Sequence, residues 1–275
     1  MIYDPVLGLI FIKTTKVAGS SFEASIAPFL SPKTVVTINE KWSTDQNAAM
    51  TIRLRKTHWL PLPRLLTQIA RHRKNAKSIP VDMIRRRGPR HECFSLETDH
   101  MSAQQIRSQI GQAEWDRCLK VAIVRSPYDQ LISDYFMKKN KNANPFSFPS
   151  INDWVRQNPE RILRNQRILE LDTKDSQGVQ RKEIQLDLII HYENFEEDLR
   201  TLAKRLELSG DALWEKFEKT RVHSSYRPDN LRTDYEHLLD MRTKSTIRFL
   251  LNTTFDFFSF KKPDVHQSKV ENVTS

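Results

Sequence analysis

Three short apolar runs each give way, within a few residues, to a helical pattern, and this alternation constrains the fold more than any other feature. The runs are Leu7–Ile12 (LGLIFI), Cys118–Val124 (CLKVAIV) and Leu186–Tyr192 (LDLIIHY). They are short and rich in β-branched and aromatic residues, as expected of strands buried on both faces. The first leads through KTTKVAGSS into FEASIAPFL, a helix that Pro28 and Pro32 help to end. The second follows SAQQIRSQI, a helix with Ser102 as its cap, and leads through RS into PYDQLISDYF, where Pro127 suits the first helical turn. The third leads into a helix over Glu196 to Leu206, then a loop around 222–232 and a final helix ending near FDFFSF. Alternating strands and helices predict an α/β fold of three layers, α/β/α, around a central, mainly parallel sheet. Ligands of such sheets sit at the carboxyl ends of strands, which points to the turns after Ile12 and Val124.

Charge narrows the partners. The 275 residues carry 44 Lys and Arg against 34 Asp and Glu, a formal charge of +10. A basic protein attracts anions: a phosphorylated nucleotide, an acidic glycan, an anionic membrane or a nucleic acid. The excess is concentrated between Arg53 and Arg90, with twelve Lys or Arg and a single Asp. This insertion, about 53–91, reads equally as a groove for an anionic acceptor and as a solvated surface or a basic amphipathic helix touching lipid. The cysteines, Cys93 and Cys118, are too few for a disulfide framework or a zinc site. The first strand-like run, Val6 to Ile12, begins almost at once, and no run approaches ~20 apolar residues. The expectation is a cytoplasmic chain without signal peptide or transmembrane anchor.

The turn Thr15-Lys16-Val17-Ala18-Gly19-Ser20-Ser21 stands between a strand and a helix. Its small residues let backbone amides close around an anion at the helix N-terminus. Ser20 and Ser21 add hydroxyls, and Lys16 adds a mobile charge. It is no Walker A loop, because its lysine precedes the glycine. In the second turn, Arg125 at the end of a strand has the fork that grips phosphate, and Ser133 lies farther along the following helix.

Together these stretches resemble a known family. IFIKTTKVAGSSFE looks like the 5′-phosphosulfate loop (PKTAGTS or PKVxCT) of carbohydrate sulfotransferases, Golgi-type and heparan-type, which use 3′-phosphoadenosine-5′-phosphosulfate (PAPS). WDRCLKVAIVRSPYDQLISDYF looks like their 3′-phosphate motif, with a Ser eight residues after the Arg. FSLETDHMSAQQIRSQI and LDLIIHYENFEEDLRTLAKRLEL resemble two further family segments, in the same order along the chain. Thr15 stands where the family usually has proline, and Val17 where some members have a hydroxyl. Residues 31–92 and 138–185 are not covered.

The resemblance implies one sulfotransferase domain over 1–263 with a P-loop-like fold, followed by a polar tail, 264–275. It also implies transfer of a sulfuryl group from PAPS to an acceptor hydroxyl, that of a carbohydrate, with no metal. Thr15 to Ser21, Arg125 and Ser133 would hold the donor; so would Ser224, Tyr226 and Arg227, in the loop that often closes over the nucleotide. Lys16 would stabilise the leaving phosphate and His100 would be the general base, with Glu97 or Asp99 as alternatives. An unperturbed histidine titrates near ~6.5, which predicts an acidic limb in kcat there. Two other readings stand beside this one: a kinase-like phosphoryl-transfer enzyme, and a basic nucleic-acid-binding protein without catalysis.

Overall fold

The computed structural model describes residues 1–31, 33–36, 100–142, 144–220 and 236–260. The basic insertion, Cys93, Glu97, Asp99, the loop carrying Ser224, Tyr226 and Arg227, and the tail 264–275 lie outside the described residues.

The chain starts with strand β1 (Ile2–Asp4), turns through Gly8 at φ 63°, and returns as β2 (Leu9–Ile12). Helix α1 (Gly19–Ile26) and strand β3 (Val35–Val36) follow. Next come α2 (Ala103–Ile110), α3 (Gln112–Arg117), β4 (Leu119–Val124) and the long α4 (Pro127–Lys141). Three short helices, α5 (Ile151–Gln157), α6 (Pro159–Ile162) and α7 (Arg164–Leu169), lead to a hairpin of β5 (Glu170–Lys174) and β6 (Gln180–Ile184). The remainder is β7 (Leu188–His191), α8 (Phe195–Arg205), α9 (Gly210–Lys219), α10 (Met241–Leu250) and α11 (Asn252–Phe257).

The main sheet has the order β3-β1-β2-β4-β7. β2, β4 and β7 pair in parallel, whereas β1 is antiparallel to both β2 and β3, so four of the five strands run one way. β1 is too short for its period to be read from sequence, and it forms because the turn at Gly8 folds it back on β2. The hairpin β5-β6 is a separate two-stranded sheet.

Alternation along β2 and β4 explains the layers. Leu9, Phe11, Val121 and Ile123 face one side, where Phe22 and Ile26 of α1 and Leu199, Leu202 and Leu213 of α8 and α9 cover them. Ile10, Ile12, Ala122 and Val124 face the other, under Ile106 of α2, Trp115 of α3 and Leu169 of α7. Each fully buried side chain of this size contributes on the order of 2–3 kcal/mol. Helices on both faces leave only the strand ends open, as the sequence pattern predicts. The predicted cap on Ser102 is present as a capping box: its hydroxyl accepts from the Gln105 amide, and the Gln105 side chain accepts from the Ser102 amide. A third core gathers Tyr128, Leu131 and Tyr135 of α4 with Trp154, Ile162, Ile247 and Phe255, and it anchors α5 and α6 beside the strand ends. Among the described residues, no helix is long and apolar enough to cross a membrane.

Candidate active site at the carboxyl ends of β2 and β4

Parallel pairing of β2 with β4 sets Ile12 opposite Ala122, so the two turns singled out in the sequence leave the sheet side by side. Thr14 locks them together, its hydroxyl donating to the Ile123 carbonyl at 2.6 Å.

The first turn is built over a buried ion pair. The Lys13 ammonium lies 2.6 Å from Glu23 Oε2, with both side chains almost wholly out of water. Burial alone would raise the Glu23 pKa, but the Met1 ammonium, 2.7 Å from Oε1, and Lys13 together outweigh it and hold the carboxyl below its usual range. The Lys13 stem runs beneath Gly19, where a Cβ would stand 3.1 Å from Lys13 Cγ, a tight contact that a glycine at the start of α1 avoids. Lys16 and Ala18 both take left-handed conformations, at φ 62° and 61°. Each costs a residue with a side chain roughly 1 kcal/mol or more, and such strain gathers at functional loops. No side chain caps α1 from Ala18, which suits a helix end that receives an anion.

The expected donor-binding residues divide by side-chain direction. Val17 is fully buried in the core beneath the turn, so only its backbone faces the site; its place in the loop is structural packing. Thr15 is turned inward as well. Its amide and hydroxyl both donate to Asn165 Oδ1 at 2.8 Å, while Asn165 Nδ2 donates to the Thr15 carbonyl at 3.0 Å. Ser21 is buried within the first turn of α1, and Ser20 is half-buried at its rim. Lys16 extends along α4, its ammonium 3.5 Å from Met137 Sδ.

Arg125 closes the second turn. Its Nη1 donates to the Lys16 carbonyl at 3.2 Å, its Nε donates to Asp129 one helical turn on, and its guanidinium lies 4.1 Å from the centre of the Tyr192 ring. The guanidinium plane is thereby fixed from three directions. Ser133 sits one turn after Asp129 and one turn before Met137 on α4. It therefore shares the stripe that meets Arg125 at one end and Lys16 at the other.

His100 joins the same loop from the α2 side, with Nδ1 2.9 Å from the Lys13 carbonyl. A carbonyl only accepts, so Nδ1 carries the proton and Nε2 holds the basic lone pair. Burial pushes this imidazole down to about 4. The hydrogen bond to the Lys13 carbonyl opposes that shift, and the charges of Lys13 and Arg164 add to it. The expectation of an acidic limb near 6.5 therefore moves to about 4, and this imidazole is neutral near pH 7.

Sequence reasoning missed four residues. Asp129, four residues after Arg125 on a helix, was legible as an ion-pair partner. Tyr192 ends the LDLIIHY run beside β4. Asn165 and Arg164 carried no local signal, since 150 residues separate Asn165 from Thr15. The Asn165 contact is testable. Asn165→Ala leaves the Thr15 amide without its acceptor and is expected to destabilise the fold by about 1–2 kcal/mol, read as a lower urea midpoint at unchanged m.

Comparison of the chain with protein-family models, with curated proteins and with solved structures finds no match.

Proposed function

We propose that the chain is a PAPS-dependent sulfotransferase of P-loop-like fold that acts on a hydroxyl of a carbohydrate. One observation carries the reading most. The turn after β2 and the turn after β4 are joined directly, Arg125 Nη1 to the Lys16 carbonyl, and His100 is bonded to the same loop at Lys13. A cationic loop, a fixed guanidinium and a neutral imidazole with its lone pair on Nε2 thus share one strand edge. These are the parts that sulfuryl transfer requires.

In the reaction proposed, a bond forms between the acceptor oxygen and sulfur while the bond from sulfur to the 5′-phosphate oxygen breaks. Negative charge grows on the departing phosphate. Lys16 and the N–H groups opening α1 would meet it, stabilising the transition state more than the ground state. Arg125, with Ser133 on its stripe, would grip the 3′-phosphate by charge-assisted bonds. The acceptor proton would pass to His100 Nε2 and then to solvent, leaving a sulfate ester and 3′-phosphoadenosine 5′-phosphate.

Calorimetric titration with that bisphosphate tests the reading directly. Binding much tighter than that of adenosine 5′-phosphate is expected, because only the former offers a 3′-phosphate to Arg125. Absence of binding, or equal affinity for the two nucleotides, would sink the proposal.

A further inference from the structure

The segment Pro159–Leu169 carries no motif, yet it lies against the site. Helices α6 and α7 bury Ile162, Ile168 and Leu169, and they turn two amides inward. Asn165 holds Thr15, while Gln166 accepts from the Thr254 hydroxyl at 2.9 Å and donates to Glu170 at 2.6 Å. The residues left facing outward are basic. Arg161, Arg164 and Arg167 recur at three-residue spacing and, with Glu160 and Ile168, line an open hollow of about 380 Å³.

The three arginines are not equivalent. Arg161 Nη1 donates to Asp134 at 2.6 Å and its guanidinium lies over the Trp154 ring, so it is committed to the fold. Arg164 and Arg167 are exposed, and neither makes an ion pair among the described residues. Among the described residues, Glu160 is the one carboxylate lining the hollow, and it lies 4.0 Å from Arg161. Two forked donors therefore face solvent without an ion-pair partner among the described residues.

Exposed arginines are ordinary; their place is not. Arg164 immediately precedes Asn165, whose side chain is bonded to the phosphosulfate loop. His100 is bonded to the same loop at the Lys13 carbonyl, so a ligand group on Arg164 would stand beside the loop that Asn165 and His100 both hold, where the acceptor is expected.

We propose that Arg164 and Arg167 form a subsite for a carboxylate or sulfate group of the acceptor, so that the acceptor is an anionic glycan. This rests on the sulfotransferase reading above. The guanidinium fork matches both anions, and a hollow of this size takes a single sugar residue with its charged substituent. It also assigns acceptor recognition to residues outside the basic insertion.

The test uses the full chain, with heparin-derived and hyaluronan-derived tetrasaccharides and neutral chitotetraose as probes. Both arginines are exposed, so Arg164→Gln/Arg167→Gln is expected to fold. The double variant is expected to bind the heparin probe about tenfold more weakly and with a flatter salt dependence, at unchanged affinity for the bisphosphate. An equal loss with the hyaluronan probe assigns the subsite to any anionic oxygen, and a loss with heparin alone assigns it to sulfate. Chitotetraose should not respond. A heparin affinity unchanged in the double variant, with bisphosphate binding intact, overturns the subsite; so does an equal loss of bisphosphate affinity. Failure of the wild-type chain to bind the bisphosphate overturns the sulfotransferase reading instead.

Discussion

His100→Ala is expected to lower kcat by ~100-fold or more, the usual scale for removing a general base, while affinity for 3′-phosphoadenosine 5′-phosphate stays near the wild-type value. The selectivity follows from placement: the ring is bonded to the Lys13 carbonyl and would face the acceptor rather than the phosphates. Lys16→Ala should differ, losing nucleotide affinity as well as kcat, because its charge is absent from ground and transition state alike. The pH profile separates a base from a structural ring. In the wild type the acidic limb of kcat should fall near pH 4, where burial has moved the imidazole. Stability should follow the same residue. The unfolded ring takes a proton near ~6.5 and the folded ring only near 4, so stability is full above pH 6.5 and declines as pH falls towards 4. Between pH 7 and pH 5 this loss is expected to be about 2 kcal/mol in the wild type and absent from the stability curve of His100→Ala. A mutant with near-normal turnover and an unchanged acidic limb would remove His100 from the mechanism and leave Glu97 and Asp99 to be tested.

Arg125→Ala should weaken the bisphosphate by ~2 kcal/mol, about 30-fold, and leave adenosine 5′-phosphate nearly unaffected. Truncation also strips buried Asp129 of its cation and Tyr192 of its stacked partner, so some loss of stability should accompany it. Arg125→Lys keeps a charge but neither the fork nor the fixed plane, and it should restore part of the stability with little of the affinity. If both nucleotides weaken equally in Arg125→Ala, the residue serves the fold alone and the 3′-phosphate is held elsewhere.

Much of the scaffold was legible because it is local. LGLIFI and CLKVAIV are buried on both faces and read as such, Ser102 caps α2 through a residue three positions on, and Pro127 opens α4. The two turns that carry Lys16, Gly19 and Arg125 were legible for the same reason: a strand's end, a turn and a helix's start are written in consecutive residues. The direction in which each side chain points was not. Thr15 and Val17 lie in a loop whose sequence suits ligand contact, yet Val17 is fully buried and the Thr15 hydroxyl belongs to Asn165. Within a turn no hydrophobic period exists to tell inside from outside.

What the sequence determined by itself, then, is the alternation of strand and helix and the two turns where an anion would sit, since both follow from nearest-neighbour chemistry. Only the tertiary structure decided that these turns meet, because parallel pairing of β2 with β4 joins segments more than a hundred residues apart. It also decided the state of His100. Burial and the charges of Lys13 and Arg164 lower its pKa, and all three are set by packing rather than by the residues beside it in the chain. Local preferences act over one turn of backbone, whereas desolvation and Coulomb forces act through space, and so the site's electrostatics appear only once the chain has folded.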